Sequence, residues 1–216
     1  MEDNMKPTKS LLVLAVLLAA PGIAAAQGYY GGSGPGYYSQ PPATQLPGGF
    51  HNRQGRLAFG GSLGLGGMHD SGSNVTACGN CDYNPLAVEL DGHIGGFLTP
   101  RFALMAEGQI NAQTVASDFY DDTVLSMNSL MIAGQYWVTP QFWIKGGIGV
   151  AALYADNAYE VWDFGTGGAI MGAAGYELLS ARNFAIDLQG RIIRGSFNSL
   201  DDNVTSGTIG VGLNWY

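Results

Sequence analysis

Positive charge is scarce in this sequence. Nine Lys and Arg stand against seventeen Asp and Glu, a formal net charge of −8. Binding to phosphate backbones needs a basic footprint, so nucleic acid is excluded as a partner. Charge of either sign is sparse too, at 12% of residues, while glycine reaches 34 residues, an unusual balance for a soluble domain. Only two cysteines occur, in Cys78-Gly79-Asn80-Cys81. In a secreted chain such a pair most simply forms a local disulfide. A structural zinc site takes four ligands, and Cys78 and Cys81 with His69 and Asp82 would be an unusual set. The expectation is therefore a disulfide, with no metal and no cofactor. Also missing is an apolar run of the roughly 20 residues that a spanning helix needs. The run Leu11 to Ala20 falls well short of that.

That short run has another explanation. Lys6 and Lys9 precede it, and Ala24-Ala25-Ala26 before Gln27 has the small-residue form of a cleavage site. Residues 1 to 26 are expected to be a secretory signal peptide, with no Cys after it to make a lipoprotein. Residues 27 to 55 follow as a Gly/Tyr/Pro-rich stretch, with Tyr29-Tyr30, Tyr37-Tyr38 and Pro41-Pro42. Such composition cannot bury enough surface to offset its ordering entropy. It reads as a flexible periplasmic tail.

What the rest of the chain has is alternation. In Thr139 to Tyr154, Phe142, Ile144, Ile148, Val150, Ala152 and Tyr154 fall on one side, with Trp143, Lys145, Gly147, Gly149 and Ala151 on the other. Period two is the signature of a strand. The opening of that stretch recurs as Thr99-Pro100-Arg101-Phe102, more loosely as Ser180-Ala181-Arg182-Asn183-Phe184, and again as Arg56-Leu57-Ala58-Phe59. Four units of this length each fit two strands and a loop. The strands expected are 56 to 68, 86 to 98, 102 to 115, 123 to 138, 142 to 154, 164 to 179, 184 to 197 and 204 to 216. Eight is the smallest number that closes into a filled membrane barrel. The fold class is all-β, an eight-stranded antiparallel up-and-down transmembrane β-barrel over residues 56 to 216.

A soluble lipocalin-like carrier would alternate as well, with its apolar face inward. Here the second face is mostly Gly, Ala and Gln with a few charges, unlike a solvated surface. Rings gather at one set of strand ends, namely Phe102, Tyr136, Trp137, Phe142, Trp143, Tyr176, Phe184, Trp215 and Tyr216. A second set, Phe119, Tyr120, Tyr154, Tyr159, Trp162, Phe164 and Phe197, lies at the other ends. Both are expected to be interfacial girdles. Connections are expected to alternate between tight turns and longer outer loops, which places both termini in the periplasm. The outer loops are expected to hold Asp70, Asp82, Asp118, Asp121, Asp122, Asp156, Glu160, Asp163, Asp201 and Asp202, whereas Arg53, Arg56, Arg101 and Arg182 lie near the turns.

With eight alternating strands, a signal peptide and a terminal strand Thr208-Ile209-Gly210-Val211-Gly212-Leu213-Asn214-Trp215, the chain resembles the small OmpA/OmpX-type barrels and the opacity-type proteins of bacterial outer membranes. The resemblance implies that Gly210, Leu213, Trp215 and the extra residue Tyr216 form an assembly signal read by the barrel-assembly machinery. It also implies outer-membrane lipid and lipopolysaccharide as surroundings, in a Gram-negative cell envelope. No OmpA-like peptidoglycan-binding domain is expected after the barrel.

The inward face offers Glu89, Asp91, His93, Glu107, Lys145, Glu177, Asp187 and Arg191. Buried charges must pair, so these are expected to form a network filling the lumen. The resemblance allows such pairs to gate a narrow porin-like pore instead. His69-Asp70-Ser71 places a base, a carboxylate and a hydroxyl together, as a lipid-modifying enzyme would require. Sequence neighbours seldom have that geometry, so no catalytic residues are assigned. The acidic loops offer oxygens to calcium but no EF-hand spacing. A non-enzymatic envelope or surface-interaction role is the function expected.

Overall fold

The computed structural model describes residues 46, 48 to 70, 73 to 74, 86 to 117, 120 to 156, 160 to 197 and 202 to 216. For residues 70, 73, 74, 115 to 117, 120 to 122 and 202 it describes the backbone alone. All lie in the compact unit Pro42–Tyr216; the unit Met1–Pro41, with the expected signal peptide and most of the tail, lies outside the described residues. So do Cys78, Cys81 and Ser71.

Eight long strands form the fold: β1 Leu57–Asp70, β2 Ala87–Thr99, β3 Phe102–Ser117, β4 Tyr120–Trp137, β5 Phe142–Asp156, β6 Val161–Ser180, β7 Phe184–Phe197 and β8 Asp202–Trp215. Each pairs antiparallel with the next, and β8 returns to β1 over a register from Phe59↔Trp215 to Asp70↔Val204. The sheet is thereby closed, which removes its edges. A two-residue ladder, Ser73–Asn74, folds back on the end of β1.

Closure sorts side chains by parity. Leu63, Leu130, Ile132, Ile148, Ile170, Ile192 and Ile209 are each at least 60% exposed, while the residues between them point into the lumen and are mostly buried. This is the reverse of a lipocalin, whose apolar face is inside, so the soluble-carrier alternative does not fit the fold. Parity also resolves the strands whose alternation is poorest in sequence: Met127, Met131 and Met171 are inside, Leu130 and Ile170 outside.

Two expectations are corrected. First, the strands run beyond the apolar band. A membrane-crossing strand needs roughly 9 to 11 residues, whereas β6 has 20 and β4 has 18. Asp70, Asp121, Asp122, Asp156, Asp163 and Asp202 consequently belong to strands rather than loops. Apart from the connection between Asp70 and Ala87, the outer connections are about as short as the turns. Second, not all of the aromatic residues form girdles. Trp137, Trp143 and Phe197 are buried in the lumen, and Tyr216 packs against its core. Tyr136, Phe142, Tyr176 and Trp215 remain exposed on the outer surface, while Trp162, opposite the inward Ala155, lies on the lumen side at the far end of its strand.

The turns carry local reasons for their shape. At the β4–β5 turn the hydroxyl of Thr139 accepts from the Phe142 amide at 2.9 Å, an ST-type turn. The same hydroxyl position recurs at the β2–β3 turn, where Thr99 accepts from the Arg101 amide at 3.3 Å.

Candidate functional site in the barrel interior

The lumen is filled in three layers, set by the heights at which inward residues fall along each strand. At the turn-side end, Glu177 of β6 is fully buried. It accepts five hydrogen bonds: two from Arg53 at 3.0 and 3.1 Å, one each from Trp137 Nε1 at 2.8 Å and the Tyr216 hydroxyl at 3.1 Å, and one from the Ser180 hydroxyl. A carboxylate has about four lone-pair sites, so this one is saturated. Arg53 comes from the segment before β1. Its guanidinium lies 3.8 Å from the centroid of the Tyr216 ring and 5.6 Å from that of Trp137, with Phe97 at 6.0 Å. Phe50, from the same segment, is buried beneath Arg101, whose guanidinium is 3.7 Å from its ring centroid. Tyr216, one residue past β8, has its phenol held well above the ordinary range, first by burial and then by the Glu177 charge. It therefore stays a neutral donor.

Asp187 stands beside Glu177 across the β6–β7 ladder. Like charges directly opposite are destabilising, and Asp187 is met by donors of its own. Trp143 Nε1 reaches it at 3.2 Å and Asn214 Nδ2 at 2.9 Å.

The middle layer is ionic. Arg191 reaches Glu89 at 2.6 Å, Asp91 at 2.5 Å and Glu107 at 3.0 Å, and Lys145 reaches the other oxygen of Glu107 at 2.9 Å. The Thr208 hydroxyl donates to Glu89, and His93 lies 3.5 Å from Asp91. Asp91, His93 and Glu107 each offer an atom within 4.8 Å of the others, as a metal site would. Arg191, however, already holds one oxygen of each carboxylate. The donor set fits a guanidinium better than an added cation.

The outer layer is mainly apolar. Met68, Met127, Leu153, Ile193, Phe197 and Val204 are all at most 2% exposed. They pack the lumen above the ionic layer with side chains that have no polar atoms to hydrate, around three buried polar ones: Ser206 donates to Asn111 at 3.0 Å and Gln113 accepts from the Met68 amide at 2.8 Å.

Of the residues expected in the network, the structure brings six together: Glu89, Asp91, His93, Glu107, Lys145 and Arg191. Glu177 and Asp187 take different partners nearer the turns. Sequence reasoning missed Arg53 and Phe50, assigned to a flexible tail that was to run to residue 55, and it missed the apolar layer. A signal for Arg53 did exist. Five inward carboxylates face only Lys145 and Arg191 on the strands, and Arg53 is the first charged residue after Lys9. Of the assembly residues, Leu213 and Trp215 face outward, Trp215 between Phe59 at 5.7 Å and Phe184 at 5.3 Å, while Tyr216 turns inward. His69 is exposed near the end of β1.

No protein-family model and no curated protein sequence matches the chain. Among solved structures, neisserial surface protein A is similar at a TM-score of 0.53 with 13% identity, over 74% of this chain and 96% of that one. Ail, the attachment invasion locus protein of Yersinia pestis, is similar at 0.47 with 13% identity, over 73% and 97%. The outer membrane protein OprG of Pseudomonas aeruginosa is similar at 0.40 with 11% identity, over 76% and 96%. The likeness to neisserial surface protein A is one of fold: this chain has the architecture of a small eight-stranded outer-membrane barrel.

Proposed function

We propose that this protein is an integral β-barrel of the bacterial outer membrane with a structural or surface-interaction role and a closed lumen. The carrying observation is the inversion of the barrel: large apolar side chains point outward on all eight strands while eight charged ones are buried inside. An exposed apolar surface of that extent is costly in water. A lipid bilayer removes the cost, and a closed sheet satisfies every ladder hydrogen bond within it. Lipid and lipopolysaccharide would surround the band. The turn side and both termini would be periplasmic, and the β8 residues Gly210, Leu213, Trp215 and Tyr216 would meet the assembly machinery. The short outer connections leave the segment between Asp70 and Ala87, with Cys78 and Cys81, as the largest loop surface for a partner.

A lumen filled in series by aromatic, ionic and apolar layers favours this role over the passive pore. The test is a planar-bilayer recording of the refolded full chain, with boiled protein as control. A folded but silent barrel is expected. Steady discrete current steps that change when Lys145 or Arg191 is neutralised would replace the closed-lumen function with a pore. Carbonate washing of membranes tests the location: release into the soluble fraction would sink it.

A further inference from the structure

Arg53 is buried to 3% exposure although it precedes the first strand and no cross-strand pairing holds it. What holds it is a receptor contributed by the barrel. Glu177 of β6 meets both terminal nitrogens of the guanidinium in a fork, the carbonyl of Ala181 accepts from it at 3.1 Å, and the Ser180 hydroxyl lies at 3.4 Å. Tyr216 covers its face, with Trp137 and Phe97 around it. Phe97 and Trp137 pack on each other at 5.1 Å, and Tyr216 meets both edge-on. Trp137 and Tyr216 also bond to Glu177. The rings and the carboxylate thus come from β2, β4, β6 and the end of β8 and are held together without help from the segment before β1.

A planar fork of donors over an aromatic face, opposed by a bidentate carboxylate, is the chemistry that selects guanidinium over ammonium. We propose that the turn-side end of the barrel is a guanidinium-binding site that the chain fills with its own Arg53, the one charged side chain by which residues 46 to 55 enter the lumen. The rest of the segment is tied to the barrel by the buried Phe50 ring beneath Arg101 and by bonds from the Gly55 amide to the Phe97 carbonyl at 2.9 Å and from Gln54 to the Leu98 carbonyl at 3.4 Å. Leu46 and Gly49 are joined to Phe50 and Leu46 by two backbone bonds at 2.8 and 3.1 Å, and Gly48, Gly49 and Gly55 all have positive φ. These ties position Arg53, but none of them contacts its guanidinium.

The site makes a specific demand: emptied, it should take a small guanidinium from solution. The experiment compares the refolded full chain with its Arg53→Ala variant, following the thermal unfolding midpoint in methylguanidinium, tetramethylammonium or sodium chloride at equal, low ionic strength. The expected result is a midpoint several degrees lower in the variant, recovered by at least half with methylguanidinium and by neither other salt, with the parent protein indifferent to all three. A variant as stable as the parent, or one that methylguanidinium restores no better than sodium, would overturn the proposal, as would an equal response in the parent. Should Arg53→Ala fail to fold, the readout becomes refolding yield: methylguanidinium is expected to restore it selectively, and equal yields in the three salts would overturn the proposal. Conductance plays no part in this test, so its outcome is separate from that of the closed-lumen role.

Discussion

The indole of Trp143 occupies the space that a side chain on Gly175 would need. The two are cross-strand neighbours of β5 and β6, and a Cβ built on Gly175 would overlap the ring. Trp143 can turn into the lumen and bond Asp187 because its neighbour has no side chain.

Gly175→Ala is therefore expected to be destabilising by about 1 to 3 kcal/mol, the usual range for overpacking a filled interior. Gly172, on the same strand but facing outward, has open space where its Cβ would be. Gly172→Ala should change stability by less than about 0.5 kcal/mol. Urea unfolding of the two refolded variants checks the contrast. Equal effects would mean that the Trp143 position is not dictated by Gly175.

Arg191 is the shared cation of Glu89, Asp91 and Glu107, and Lys145 serves Glu107 alone. Removing one partner of a buried pair costs about 3 to 5 kcal/mol because it strands the other charge. Arg191→Met strands more carboxylates than Lys145→Met and is expected to be the more destabilising of the two. A double-mutant cycle of Arg191→Met with Glu89→Gln should show coupling above about 0.5 kcal/mol, since the residues are in contact. Additive effects would mean that the network is not energetically shared.

Glu177→Gln keeps the shape of the saturated carboxylate but cannot accept from all of its donors, one oxygen having become an amide NH2 that only donates. The loss is expected to be about 3 to 5 kcal/mol. Ser180→Ala, which removes a single partner, should cost about 1 kcal/mol. Unfolding midpoints rank the two, and a larger effect at Ser180 would contradict the hub role given to Glu177.

How much of this was legible in the sequence depends on which physical rule governs each residue. Strand parity was plain where the two faces differ chemically, as in β5, because the lumen face is Trp143, Lys145 and small residues. It was obscure in β4 and β6, where Met127, Met131 and Met171 put apolar side chains on the inside as well. The network residues were legible because a charge on an otherwise small face must find a partner, but which partner was not, since Arg191 crosses the lumen to strands about a hundred residues earlier. Trp137 and Trp143 were misread as girdle rings because a Trp next to a turn fits either face until its register is known. Arg53 was missed because composition speaks for a whole segment and not for the one side chain that is bound.

The order of the layers makes the last prediction. The ionic layer by itself reads as a gate, since salt bridges can exchange partners. Above it, however, Met68, Met127, Leu153, Ile193, Phe197 and Val204 fill most of the lumen, and the buried polar side chains among them bond within the protein, Ser206 donating to Asn111 and Gln113 accepting from the Met68 amide. Below it lie the rings about Arg53. Barriers in series are limited by the highest one, so neutralising Arg191 alone should leave the barrel silent in a planar bilayer. Phe197→Ala should cost about 3 to 5 kcal/mol as a large-to-small change and should also leave it silent, because the ionic layer remains. Current is expected only when all the layers are breached, for instance in Arg53→Ala/Arg191→Ser/Phe197→Ser, provided the variant still folds by near-UV circular dichroism. Current from the Arg191 change alone would show that the charges are the whole barrier and that the apolar layer is no seal.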